Sequence, residues 1–206
     1  MSNMDEDFAC FLEEFGPAID RRYVPPSTIA RYRGKLPDQL LAYWEEYGWC
    51  GYGDGLFWTV NPQEYEPALE AWIGETPFME QDAYHVIARS AFGLLYLWGE
   101  KTGGTLRVFA PASCCFASAA DNDVDRDFQM RVFFGSLWRD TNDVEGLFAP
   151  ALKQLGRLAH DEMYGFVPAL ALGGAPTLAN LKKVKAVEHL VILAQIEPLY
   201  VTETGI

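Results

Sequence analysis

Along the first third of the chain the apolar positions keep a helical period. Phe8, Phe11, Leu12 and Phe15 recur at i, i+3, i+4 and i+7, which predicts a short amphipathic helix stopped by Gly16 and Pro17. After a turn at "VPPS", Ser27 or Thr28 can cap a second short helix. Pro37 is a first-turn proline, and Leu40, Leu41 and Trp44 form the buried stripe of a third helix ending near Gly48. "GYGDG" predicts a glycine-rich turn into a strand over 56–60. Asn61 as N-cap and Pro62 in the first turn then open a helix with Tyr65, Leu69, Trp72 and Ile73 inward. Glu64, Glu66 and Glu70 are left on its exposed side.

Alternation then replaces the helical period. "YHVIARSA" and "GLLYLWGE" read as strands, and Gly103-Gly104 as a turn into a returning strand with Leu106, Val108 and Ala110 on one face, together an antiparallel meander. "SAADNDVDRD" breaks the pattern and marks a boundary. Beyond it "FQMRVFFGSLW" and "GLFAPALKQLGRL" read as helices and "YGFVPALALGG" as strand-like. Thr177 is expected to cap a last helix with the stripe Leu178, Leu181, Val184, Val187, Leu190, Val191 and Ala194. The fold class is α+β. An antiparallel sheet with flanking helices occupies an N-terminal part, 1–118, and a mainly helical C-terminal part, 119–206, packs against it.

Charge adds a partner class to this picture. The 206 residues carry 29 acids and 16 bases, a net of −13, and half of them are apolar, enough for a substantial core. The excess is local. Lys35 and Arg89 bracket ten acids with no base among them: Asp38, Glu45, Glu46, Asp54, Glu64, Glu66, Glu70, Glu75, Glu80 and Asp82. The remainder holds 19 acids against 16 bases, a net of only −3. Such a field repels nucleic acid and anionic membrane and attracts a basic protein surface. The start "MSNMDEDFACFLEEF" has neither a basic n-region nor an apolar h-region, and no apolar run approaches the ~18 residues of a membrane span, so a cytoplasmic protein is expected. Cys10, Cys50, Cys114 and Cys115 show no C-x-x-C spacing and are expected as reduced thiols.

Little else in the sequence carries chemistry. The loop Asp121-Asn122-Asp123-Val124-Asp125-Arg126-Asp127 begins like a calcium loop. Arg126 stands where the sharp turn needs glycine, however, and Val132 where a bidentate glutamate is needed, so it reads as a solvated, helix-capping loop. Gly48, Gly51, Gly53 and Gly55 follow a helix and precede a strand, the reverse of a phosphate-binding turn. His85, His160 and His189 lack metal spacing, and "HDE" at 160–162 offers a base and two carboxylates whose directions diverge. No catalytic residue, metal site or cofactor is expected.

Two stretches carry a family resemblance. "LPDQLLAYWEEYGWCGYGDGLFWTVNPQEY" resembles the GAD-like domain: a helix ending in W-x-x-Y-G, a glycine turn, a D-G-x-x-W strand and an N-P-x-x-Y helix start. These fall at Trp44, Tyr47, Gly48, Asp54, Gly55, Trp58, Asn61, Pro62 and Tyr65. "HDEMYGFVPALALGGAPTLANLKKVKAVEHLVILAQIEP" resembles the C-terminal domain that accompanies it in immunity proteins of type VI secretion systems. The resemblance implies a non-enzymatic antitoxin that binds a cognate toxin, often a DNase effector.

Physical reasoning agrees with that implication. A DNase presents a basic groove to phosphates, and an inhibitor can fill it with carboxylates while aromatic anchors supply desolvated contacts. The candidate toxin-binding residues are Glu45, Glu46, Trp49, Tyr52, Asp54, Glu64, Glu66 and Glu70, with Asp121, Asp123 and Asp125 of the acidic loop as the competing set. The expected partner is a basic nuclease domain, without direct contact to nucleic acid or membrane. The motif residues Trp44, Trp58 and Tyr65 face inward, and Gly48 and Asn61 are expected as caps. Two alternatives remain. A small-molecule or peptide module would show a pocket lined by Trp49, Tyr52 and Phe57, and a cryptic hydrolase would cluster Asp161 or Glu162 with another base near His160.

Overall fold

A computed structural model describes residues 5–118 and 123–203. Helix α1 (Glu6–Phe15) starts where the Asp5 carboxylate accepts a hydrogen bond from the Phe8 amide at 3.0 Å, and stops at Gly16. Then come β1 (Ile19–Arg22), α2 (Pro26–Tyr32), α3 (Asp38–Tyr47), β2 (Trp49–Tyr52), β3 (Phe57–Thr59), α4 (Glu66–Ile73) and α5 (Pro77–Gln81). The meander is β4 (Tyr84–Ser90), β5 (Leu94–Gly99), β6 (Gly103–Phe109) and β7 (Cys114–Ala117). The C-terminal part holds α6 (Arg126–Gly135), α7 (Arg139–Asn142), α8 (Phe148–Leu155), β8 (Glu162–Phe166), β9 (Leu181–Lys185), α9 (Ala186–Ala194) and β10 (Tyr200–Glu203).

Among the described residues eight strands make one sheet in the order β1-β2-β3-β4-β5-β6-β7-β10, and β8 pairs with β9 apart from it. Every pairing is antiparallel except β10 on β7, where Tyr200 aligns with Cys114 and Glu203 with Ala117. The α+β architecture therefore matches the sequence pattern, and the chain's last strand returns to the sheet built by its first part.

The pleat divides the core between two faces. On one, Phe57 of β3 and Tyr96 of β5 meet α1 and α6: Phe134 sits 5.2 Å from both Phe8 and Phe11, and Phe11 sits 5.6 Å from Phe57, ring centroid to centroid. On the other, Trp58 and its register partner Arg89 face the start of β8. Each large ring removed from water here contributes roughly 1.5–3 kcal/mol.

The sequence reading needs correction in three places. "GYGDG" does more than turn: residues Trp49–Tyr52 form β2, and Gly51 lets the Trp58 ring lie on that strand, since a Cβ there would meet the ring at 3.1 Å. Gly103 is already inside β6, and the turn lies at Lys101 and Thr102, whose amides donate to the Asp82 carboxylate at 2.9 and 2.8 Å. The expected long last helix is shorter, because Leu181–Lys185 pairs with Glu162–Phe166 as β9, and Thr177 caps no α-helix. The apolar spacing at 178, 181 and 184 is helical, and pairing with a neighbouring strand overrides it.

Candidate partner-binding surface

The sequence-predicted acids lie on several elements. Glu45 and Glu46 are exposed in the last turn of α3, and Glu66 and Glu70 are exposed one turn apart on α4. Two others are already paired by bases from outside the acidic stretch. The Glu64 carboxylate is gripped by both terminal nitrogens of Arg22, one at 2.9 Å, and this contact holds its pKa below the usual carboxylate value. Asp54 lies 3.4 Å from Arg157. Asp82 is buried, and burial alone would raise its pKa. The amides of Thr102, Lys101 and Ala83 and the Thr102 hydroxyl outweigh that and lower it, so this acid is structural.

The aromatic candidates are in the core. Trp49 is 3% exposed and Tyr52 1%, so neither is available as a contact anchor. Trp49 packs edge-on to Trp44, and Tyr52 against Phe11, both components of the aromatic layer that the sheet must cover. Phe57 is buried with them, so no pocket of Trp49, Tyr52 and Phe57 opens to solvent. The inward placement of Trp44, Trp58 and Tyr65 holds. The Asn61 side chain accepts from the Gln63 amide at 3.2 Å as an N-cap, and Gly48 caps α3 with φ 75°.

In the competing acidic loop, Asp121 lies outside the described residues. Asp123 is exposed, and Asp125 caps α6 by accepting from the Phe128 amide at 2.9 Å. Among the described residues no group of three or more His, Cys, Asp or Glu is placed to hold a metal ion, and the four cysteines are unpaired.

The "HDE" segment proves to be a structural joint. Arg89 is fully buried and, among the described residues, ion-paired to no carboxylate. Its Nε donates to the Tyr65 hydroxyl at 2.7 Å, its Nη2 donates to the carbonyls of His160 and Glu162 at 2.9 and 2.7 Å, and its guanidinium lies 5.3 Å from the Trp58 ring centre. A buried cation thus bonds the meander to the loop that opens β8. Asp161 and Glu162 turn outward to Lys185 and Lys183, and their pKa values are lowered, chiefly by the Lys185 hydrogen bond for Asp161 and the Ala159 amide for Glu162. Two carboxylates held ionised on separate lysines do not converge on His160. Sequence reasoning missed Arg89, and the available signal was an arginine next to the apolar run Val86–Ala88 in a strand.

Two concavities carry exposed apolar side chains. One, of about 710 Å³, lies between the start of α4 and the outer face of α9, with Glu64, Tyr65, Asp161, Glu188, Val191 and Ile192 on its walls. The other, of about 450 Å³, lies between β6 and α6, where Phe128, Val132 and Trp138 stand 48%, 41% and 61% exposed.

Comparisons place this geometry among known proteins. Residues 6–112 match the GAD-like domain family, and residues 127–197 match the C-terminal domain of the T6SS immunity protein Tdi1. No curated protein matches the chain. The solved structure described as the crystal structure of Atu4351 from Agrobacterium tumefaciens is 22% identical and superposes with a TM-score of 0.85, covering 97% of this chain and 93% of that one. It shares the fold. With the first match spanning just over half of the chain and the second most of the rest, in the order the motifs indicated, the chain belongs to the family of type VI secretion immunity proteins that join a GAD-like domain to a Tdi1-type C-terminal domain.

Proposed function

We propose that this protein acts in the cytoplasm without catalytic turnover, by binding the nucleic-acid-binding surface of a cognate nuclease effector and so keeping DNA out. The observation that carries the reading is the concentration of carboxylates on exposed helix faces of a chain with net charge −13. A nuclease must display lysine and arginine to phosphates, and the same groups steer it toward this surface. Glu45, Glu66 and Glu70 are the natural test residues, because they are exposed and form no ion pair among the described residues. Glu64 and Asp54 serve less well, since their loss would also unpair Arg22 and Arg157.

Charges at an interface rim act mainly on encounter. The Glu45→Lys, Glu66→Lys, Glu70→Lys triple variant should slow association with the effector domain by ~10-fold at low salt. Its dependence on salt should flatten, and dissociation should change little. Stopped-flow binding across ionic strengths measures this, and an unaltered association rate would leave these residues as a solvated face only.

A further inference from the structure

We infer that the cleft between α4 and α9 is the seat of the effector, and that it receives a lysine- or arginine-bearing segment of the effector's phosphate-binding surface. The inference rests on the immunity reading above and adds where contact is made. It lies where the two family-matched regions meet: Glu64 and Tyr65 come from the first, and Asp161, Glu188, Val191 and Ile192 from the second.

Three observations select this occupant. The first is charge. Glu64, Asp161 and Glu188 line the cleft, with Arg22 and Lys185 paired to the first two, which leaves three carboxylates over two cations, a net of −1, and Glu66 and Glu70 add exposed acid on the same short helix as its Pro67 wall. Glu188 forms no ion pair among the described residues, so the cleft keeps a carboxylate for an incoming cation. The second is the apolar wall. Val187 and Val191 are half-buried on α9, and Ile192 is 56% exposed, more than a lone core helix would leave. A lysine or arginine stem lies well along such a surface while its charged head reaches a carboxylate rim. A nucleotide or other anion would meet the same carboxylates as repulsion.

The third is rigidity. Tyr65 and His160 both line the cleft, and both are held from beneath by Arg89, through the Tyr65 hydroxyl and the His160 carbonyl. Burial raises the Tyr65 pKa, so the hydroxyl stays protonated and keeps its place in that contact. The walls therefore come from distant parts of the sequence yet share one buried anchor, which lowers the ordering cost of binding.

The test uses the full chain and the effector domain encoded beside its gene, purified as a nuclease-inactive variant. Ile192→Arg and Glu188→Arg alter exposed side chains and should leave the circular dichroism and melting temperature of the chain unchanged. Each should weaken the complex by ~100-fold, mostly through faster dissociation for Ile192→Arg, because it blocks the apolar wall. Ile192→Val, which keeps the wall apolar, should bind within ~3-fold of the original. Wild-type chain that fails to bind the effector would overturn the immunity reading and this site with it. Wild-type binding that both arginine variants retain within ~3-fold would overturn the site alone.

Discussion

The α4–α9 cleft and the β6–α6 groove are both concave and both partly apolar, yet they carry opposite chemistry. Around the cleft, carboxylates outnumber bases and the apolar wall is aliphatic. Around the groove the exposed apolar groups are Phe128, Val132 and Trp138, and the charge left over is basic. Arg107, the charged residue among the described ones lining it, lies 5.8 Å from the Phe116 ring and forms no ion pair among the described residues. No carboxylate is among its described lining residues, and acids of the adjoining segments are engaged with the backbone. Asp125, Asp127 and Asp143 accept from the amides of Phe128, Gln39 and Phe148, each at 2.9 Å. The sign a partner meets thus depends on which charges are already satisfied internally, and a count along the sequence does not report that. A basic effector, as proposed, would meet carboxylates at the cleft and Arg107 at the groove.

The rigidity of the cleft depends on its buried anchor, and removing that anchor has the largest expected effect. Arg89→Met keeps the volume and strips the donors, so the carbonyls of His160 and Glu162 and the Tyr65 hydroxyl lose their partner inside the core. The expected loss is ~3 kcal/mol, which for a chain of this size lowers the melting temperature by roughly 6–12 °C. Calorimetry should show one transition moved downward. A melting temperature within about 2 °C of the original would mean that the two halves are held by packing alone.

The groove supplies the control. Phe128→Ser with Trp138→Ser removes the exposed rings while disturbing little of the core, so stability should change by no more than ~0.5 kcal/mol. If the cleft is the seat, effector affinity should stay within about 3-fold. A loss larger than that of Glu188→Arg would move the binding centre to the groove and leave the cleft with a steering role, because aromatic anchors are the groups from which interfaces draw most affinity.

Most of the fold was legible because its elements carry their own periods. The α1 stripe, the α3 stripe with its Gly48 cap, the Asn61-Pro62 start and the meander all follow from local spacing. What escaped notice depends on contacts between distant segments. Strands β1 and β10 hold four residues each, too few for a period, and exist because β2 and β7 offer them an edge. β9 was hidden in a helical stripe for the same reason. The candidate site was legible as chemistry and not as place. The excess of acid in 38–82 reads directly from the sequence, whereas the pairing of Glu64 with Arg22 and the burial of Trp49 and Tyr52 required the fold. Glu188, Val191 and Ile192 look like any apolar helix until α4 is set beside them.

The smallest expected effect concerns the back of the same helix. His189 lies between Glu188 and Leu190 on α9, and its ring packs on β8 so closely that a Cβ at Gly165 would meet Nε2 at 2.6 Å. Burial lowers its pKa from 6.5, and Nε2 has no hydrogen-bond partner among the described residues. The folded chain therefore prefers the neutral ring. An unfolded chain takes up the proton more readily, so this contribution to stability is complete above pH 6.5 and is lost as the pH falls below it. Glu64 and Asp161, whose pKa values are lowered by Arg22 and Lys185, lose their contribution only further down, below their ordinary values of 4.5 and 3.8. In the interval from about pH 6.5 to 5 those two carboxylates stay ionised, and the comparison with a His189 variant separates this ring from the other histidines. Denaturant titrations there should show wild-type stability falling by roughly 0.5 kcal/mol at most, because the ring is partly screened by solvent, and His189→Leu should flatten that slope. An unchanged slope would place the acid sensitivity on another group and leave α9, and the cleft wall it carries, indifferent to mild acid.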